Sequence, residues 1–131
     1  MTYTILSIED DPEISELLSA VLDSPQVELM SSNTALDGLA KVREQHPSLL
    51  LLDIMLPDMD GWSVYDAIRT DPLTREIPII MLTVLRREFQ PRRVFQAGPH
   101  DAYMTKPFNM IDLRVQIETM LGQKLWPDTE F

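Results

Sequence analysis

Leu49-Leu50-Leu51-Leu52-Asp53 runs directly into Ile54-Met55-Leu56-Pro57-Asp58-Met59-Asp60-Gly61. An unbroken apolar run that stops at a turn reads as a strand buried on both faces, as in a parallel sheet. In open parallel α/β sheets, ligands bind outside the carboxyl ends of the strands, so the run carries Asp53 through the core and delivers it to that rim. Asp53 is therefore the first functional candidate. Taken alone, an aspartate after a core strand more often caps a helix or sits in a loop. The rest of the chain has to decide between the two.

Outward from this run, short apolar segments alternate with helical patterns, the signature of βα units wound into a parallel sheet. Thr4-Ile5-Leu6-Ser7-Ile8 reads as the first strand. Asp11 then caps a helix with Pro12 at its first position, and Ile14, Leu17, Leu18, Val21 and Leu22 form its apolar stripe up to Ser24-Pro25. Val27-Glu28-Leu29-Met30 alternates as an edge strand does, and Asn33 or Thr34 opens a second helix that His46-Pro47 closes. After Asp53, Trp62 to Thr70 is a short third helix with Tyr65 and Ile68 on one side, ended by Asp71-Pro72. Pro78-Ile79-Ile80-Met81-Leu82 is the fourth strand, and a fourth helix is expected to start near Pro91, in a segment carrying Arg86, Arg87, Arg92 and Arg93. Ala102-Tyr103-Met104 is a short fifth strand. Met110, Leu113, Ile117, Met120 and Leu121 trace the last helix, which Gly122 ends. Residues 123–131 are polar and proline-containing apart from Leu125, Trp126 and Phe131, which suits a docked tail or the start of a linker.

Composition narrows the classes. The 131 residues, 44% of them hydrophobic, make one domain with a full core. Without cysteine there is neither a disulfide framework nor a thiolate metal site, which fits a reducing cytoplasm. The start Met1-Thr2-Tyr3-Thr4 is polar and does not read as a signal peptide, and no apolar run approaches the ~20 residues of a membrane span. A formal charge of -10 disfavours direct binding to nucleic acid or anionic membranes and favours cations or basic partner surfaces.

The strand ends carry the chemistry. The first strand finishes on Glu9-Asp10-Asp11, the third on Asp53 and the fourth on Thr83, and the fifth leads to Lys106, so a parallel sheet gathers all of them on one rim. Carboxylates crowded in one cleft repel each other unless a cation sits between them, and hard oxygen ligands in a small acidic pocket suit Mg2+. Lys106 adds a positive charge and Thr83 a hydroxyl donor, which together could hold the oxygens of a phosphoryl group on Asp53. Neither His46 nor His100, each beside a proline, is assigned a catalytic role; Gly61 is read as serving turn geometry, and Trp62 and Trp126 as packing residues.

At this point Glu9-Asp10, Asp53 within LLLDIMLPDMDG, Thr83, and Tyr103-Met104-Thr105-Lys106-Pro107-Phe108 resemble the signature of response-regulator receiver domains over roughly residues 2 to 122. The resemblance implies a flavodoxin-like, doubly wound five-stranded parallel sheet of order 2-1-3-4-5 with five helices, an order for which a receiver is a standard example. It implies that Asp53 is the phosphoacceptor, that Asp10, Asp53 and the Met55 carbonyl ligate Mg2+, and that Glu9 assists through water. Asp11 then stays with the helix cap. It further implies a cis bond between Lys106 and Pro107 and a coupled Thr83/Tyr103 switch. The partners implied are a histidine kinase or phosphotransfer protein as donor, and a downstream protein or output domain on the face of the fourth helix, fifth strand and fifth helix. Such a chain is a cytoplasmic signalling switch rather than a turnover enzyme.

The sequence departs from the family pattern in three places. Val84 is larger than the usual small residue there and narrows access to Asp53; the loop Ala97 to Ala102 is one residue longer than usual; and Gln116 and Gln123 replace basic residues used for dimerisation in the DNA-binding subfamily, leaving a monomer or weak dimer. Met55, Val84 and Leu85 make the pocket mouth apolar, which predicts slow loss of the phosphoryl group, since nothing polar orients the attacking water. Two rivals fit less well. A phosphohydrolase of the haloacid-dehalogenase type needs an acid two residues after the strand-end aspartate, where Met55 stands. A flavodoxin-like electron carrier needs a first loop that cradles phosphate, and Glu9-Asp10-Asp11 repels it.

Overall fold

The leucine run decides the architecture because its alternate side chains enter two different cores. In the computed structural model, which describes residues 2–84 and 98–127, Leu49 and Leu51 face one hydrophobic cluster, and Leu50 and Leu52 the other, all four without solvent exposure. Burying a leucine side chain is worth about 1.5–3 kcal/mol at most, so a strand that places four of them inside is fixed at the centre of the sheet.

The elements follow in the order β1 (Tyr3–Ile8), α1 (Pro12–Val21), β2 (Val27–Ser32), α2 (Ala35–Gln45), β3 (Leu49–Asp53), α3 (Gly61–Thr70), β4 (Ile79–Val84), β5 (Asp101–Lys106) and α4 (Met110–Leu121). The five strands pair in parallel in the order β2-β1-β3-β4-β5. This is the doubly wound sheet expected from the sequence, with β2 on an edge. Helices α1 and α4 cover the face of Ile5, Leu49, Leu51, Ile80 and Leu82, whereas α2 and α3 cover that of Leu6, Ile8, Leu50, Leu52, Ile79 and Met81. The helix expected near Pro91 lies outside the described residues, so α4 is the helix expected as the fifth.

Side-chain caps set the helix starts, and α3 opens at Gly61, one residue before the expected Trp62. Asp11 accepts from the Glu13 N–H at 2.9 Å with Pro12 leading α1, and Thr34 accepts from the Asp37 N–H at 3.2 Å to open α2. Asp60 caps α3 through the Ser63 N–H at 3.0 Å, and Asn109 caps α4 through those of Ile111 and Asp112. Gly122 ends α4 at φ 67°, a left-handed conformation that costs glycine nothing.

Several expected boundaries move. Helix α1 stops at Val21, short of Ser24-Pro25, when the Leu22 N–H closes its last turn on the Leu18 carbonyl. Strand β2 continues past Met30 to Ser32, and β5 spans Asp101 to Lys106, because each pairs with its neighbour over all six residues. Leu17 and Met110, both placed on apolar stripes by spacing, are exposed.

The chain after Gly122 returns to the core. Leu125 and Trp126 are buried in the α1/α4 cluster. One oxygen of the buried Glu118 carboxylate accepts from the N–H groups of both, at 2.6 and 3.0 Å. The Trp126 indole N–H donates to the Asp23 carbonyl at 3.1 Å, and the Arg114 guanidinium lies 5.8 Å from the indole ring while its Nε donates to the Val21 carbonyl. The segment therefore spans the end of α1 and the last turns of α4. Trp126→Ala is expected to lower the free energy of unfolding in urea by roughly 3 kcal/mol, the scale of an emptied aromatic site. A change within the ~0.5 kcal/mol of ordinary surface substitutions would contradict this packing role.

Candidate functional site

The two-residue period of the strands gathers the site. Ile5-Ser7-Glu9, Leu49-Leu51-Asp53 and Ala102-Met104-Lys106 each continue the face covered by α1 and α4, so Glu9, Asp53 and Lys106 leave three strands on the same side. A carboxylate oxygen from each of Glu9, Asp10 and Asp53 lies within 4.8 Å of the other two. Glu9 and Asp53 are buried, and Asp10 is exposed. Lys106 Nζ donates to Glu9 Oε2 at 2.7 Å and stands 3.6 Å from Asp53 Oδ2. The peptide bond between Lys106 and Pro107 is cis.

Hydrogen bonds from the backbone aim these groups. Asp53 Oδ1 accepts from the Met55 N–H at 3.1 Å, and Glu9 Oε1 from the Asp11 N–H at 3.2 Å. The Glu9 N–H donates to the Ser32 carbonyl at 3.0 Å, fastening the end of β1 to β2. Beyond Asp53 the chain makes a tight return: Met55 bridges antiparallel to Asp60, and the Gly61 N–H donates to the Ile54 carbonyl at 2.6 Å. A Cβ at Gly61 would strike the Asp53 carbonyl oxygen. The glycine expected to serve turn geometry thus heads α3 and is needed for close backbone approach instead.

Electrostatics set this cluster apart. Burial pushes the Asp53 carboxyl up to about 6, and the negative charges of Glu9 and Asp10 push the same way against Lys106 and the Met55 N–H. Three carboxylates facing one lysine ammonium leave negative charge uncompensated, and oxygen donors this close fit a hard divalent cation such as Mg2+. A cavity of about 530 Å³ opens beside Glu9 and Asp10, between the start of α1 and the β2–α2 junction.

The other residues singled out by sequence are placed as follows. Thr83 and Val84 end β4 in register with Thr105 and Lys106, and their side chains, like all of Leu85, lie outside the described residues. Tyr103 pairs with Met81 in register and is half-buried against the α2/α3 cluster. Met55 is exposed at the pocket rim, and Asp11 stays on its helix cap. Spacing gave no hint of Asp58, whose carboxylate crosses from the β3–α3 loop to α2 and accepts from the Ala35 and Leu36 N–H groups at 2.8 and 3.0 Å. Those two bonds hold the Asp58 carboxyl below the usual carboxylate range. The Pro-Asp-Met-Asp pattern of a turn signals local capping, as at Asp60, and not a bond to a helix 22 residues back.

The raised Asp53 value has a stability consequence. A carboxyl whose folded pKa exceeds its unfolded value binds more protons in the native state, so its charge destabilises the fold above that pKa and the penalty disappears as the pH falls toward the unfolded value. In EDTA, Asp53→Asn is expected to stabilise the protein at pH 7.5 by about 1–2 kcal/mol, discounted for partial solvent screening, with the gain vanishing near pH 4. Equal stability of variant and wild type across that range would contradict the assignment.

Comparison with known proteins gives a consistent family. The model for the response regulator receiver domain matches residues 5–118. RpaA of Synechocystis, a DNA-binding dual master transcriptional regulator, is 35% identical over 117 residues, and the chain spans 48% of its length. DivK of Brucella ovis, a polar-differentiation response regulator, is 30% identical over 122 residues, which cover 93% of this chain and 98% of DivK. Among solved structures, the receiver domain of a sensor histidine kinase from Pseudomonas aeruginosa, with magnesium in its active site cleft, superposes with a TM-score of 0.82 at 28% identity over 94% of this chain and all of that one. The receiver domain of a histidine kinase from Syntrophus aciditrophicus gives a TM-score of 0.81 at 27% identity, covering 92% of this chain and 91% of its own.

Proposed function

Since this chain belongs to the response-regulator receiver family of two-component signalling, we propose that Asp53 is its phosphoacceptor and that phosphorylation there, assisted by Mg2+, switches the surface offered to a partner. The observation that carries this reading is the approach of Glu9, Asp10 and Asp53 oxygens to within 4.8 Å of one another, with Lys106 against Glu9 and Asp53. Phosphoryl transfer asks little covalent chemistry of a protein and much positioning of charge. Here an Asp53 oxygen attacks phosphorus as the donor histidine's P–N bond breaks, and the phosphoryl group passes to the carboxylate. The Met55 N–H orients Asp53 Oδ1, leaving Oδ2 on the side of Lys106. Lys106, held by Glu9 at 2.7 Å, is poised to exchange that partner for a phosphoryl oxygen.

Asp10, Asp53 and the Met55 carbonyl would hold the Mg2+, with Glu9 acting through water. Bound there, the ion would offset the negative charge shared by carboxylates and phosphoryl oxygens. Thr83 and Tyr103 form the switch: the Thr83 hydroxyl follows the phosphoryl oxygen, and the half-buried Tyr103 ring changes its packing. The donor is a histidine kinase or phosphotransfer protein. The readout is a downstream protein or output domain on the face of β5, α4 and the helix expected near Pro91. The receiver unit is residues 2–122, followed by residues 123–131 as a C-terminal tail or the start of a linker, and it works in the cytoplasm as a monomer or weak dimer without contacting nucleic acid or membrane. Among the described residues no helix is long and apolar enough to cross a membrane.

Incubation with acetyl phosphate followed by intact-mass measurement tests the reading. Wild type is expected to gain one phosphoryl group in Mg2+ and none in EDTA, Asp53→Asn to gain none, and Asp10→Ala to need far more Mg2+ than Asp11→Ala. After donor removal the phosphoryl group should decay slowly, and faster in Met55→Asn, where an amide can orient water. Unchanged labelling of Asp53→Asn, or labelling indifferent to EDTA, would overturn the assignment.

A further inference from the structure

The acidic pocket is carried by two chain segments, Glu9-Asp10 after β1 and Ile54 to Asp60 after β3, and both are fastened to the same place. The Glu9 N–H donates to the Ser32 carbonyl at the end of β2, and Asp58 accepts from the N–H groups of Ala35 and Leu36, the first two residues of α2. The first turn of a helix leaves its N–H groups without intrahelical partners, and its positive end favours a carboxylate. Thr34, the local cap, accepts from the Asp37 N–H, one residue beyond the pair that Asp58 serves. Asp58 therefore completes the capping of α2 from across the molecule, with two charge-assisted hydrogen bonds that fix both its position and its orientation.

The loop it tethers has little else at its tip. Ile54, Leu56 and Met59 pack against the α2/α3 core, whereas Met55, Pro57 and Asp58 face outward. Met55 lies three residues before Asp58 and orients Asp53 through its N–H. A loop free to shift would carry the Met55 backbone away from Asp53, and small displacements of metal ligands cost much of their affinity.

We propose that Asp58 is a positioning residue for the phosphorylation site: by clamping the β3–α3 loop to the first turn of α2, it holds Met55 and the Asp53 carboxylate at the spacing that Mg2+ requires. The inference rests on the metal reading given under Proposed function. It differs from a purely structural capping role, which would change the stability of α2 and leave the pocket as it was.

The test is a Mg2+ titration of the folded protein, followed by amide chemical shifts, on wild type, Asp58→Ala, Asp58→Asn and Thr34→Ala, with urea unfolding of each. Asp58→Ala is expected to weaken Mg2+ binding roughly ten-fold, as loss of an outer support of a metal site does. Asp58→Asn, which keeps one acceptor oxygen and remains testable if the alanine variant does not fold, is expected to fall between. Thr34→Ala should lose stability yet bind Mg2+ as wild type does. Wild-type affinity in both Asp58 variants, or equal weakening in Thr34→Ala, would overturn the positioning role while leaving the metal reading intact. Absence of Mg2+ binding in wild type would remove the metal reading, and this inference with it.

Discussion

Three carboxylates and one ammonium share a rim that is partly withdrawn from water, and the balance among them governs what the molecule can do. Lys106 stands 2.7 Å from Glu9 and 3.6 Å from Asp53, so a single positive charge serves two buried acids, and Asp10 adds a third from the solvent side. Such an arrangement is unfavourable on its own, as the upward push on the Asp53 carboxyl records. It persists because the atoms carrying it are extensions of strands whose other side chains are locked inside two cores. The fold stabilises a site that burial and like charge would disperse, and oxygen donors gathered this closely fit a hard cation.

The sheet explains why the arrangement is rigid where it must be. Alternation along β1, β3 and β5 sends Glu9, Asp53 and Lys106 out on one face, and β3 is fully buried, so Asp53 cannot relax without moving the centre of the core. The loops after β1 and β3 lie beyond the sheet, and the second rests Ile54, Leu56 and Met59 on the α2/α3 core. Both loops are held by hydrogen bonds to the β2–α2 junction, which makes the first turn of α2 part of the pocket's support although it contributes no carboxylate to the cluster.

Much of this was legible in the amino-acid order. Four leucines ending on Asp53 announce a strand with two buried faces, and the acidic and lysine residues at successive strand ends announce the rim. Helix starts were equally readable, because Asp11-Pro12 and Thr34 act on residues two or three positions away. What could not be read were bonds between residues distant in sequence. Asp58 reaches α2, Arg69 forms a 2.6 Å ion pair with Asp101 that Tyr65 joins at 2.8 Å, and Glu118 takes the backbone of Leu125 and Trp126. Each carboxylate looks in sequence like an ordinary solvated charge, and only the tertiary path of the chain gives it a partner. Exposed Leu17 and Met110 show the converse: helical spacing marks a stripe, but packing decides how much of it is covered.

Signalling by this molecule, as proposed, depends on the acidic rim holding Mg2+ and presenting Asp53 to a phosphoryl group. A crystal structure of the protein grown with Mg2+ and beryllofluoride addresses it most directly. Beryllofluoride is expected on an Asp53 oxygen, with a cation ligated by Asp10 and Asp53 and the Lys106 ammonium moved from Glu9 onto a fluoride. Beryllofluoride on another carboxylate, or an acidic cluster without cation and with Lys106 still on Glu9 at saturating concentrations of both, would contradict it.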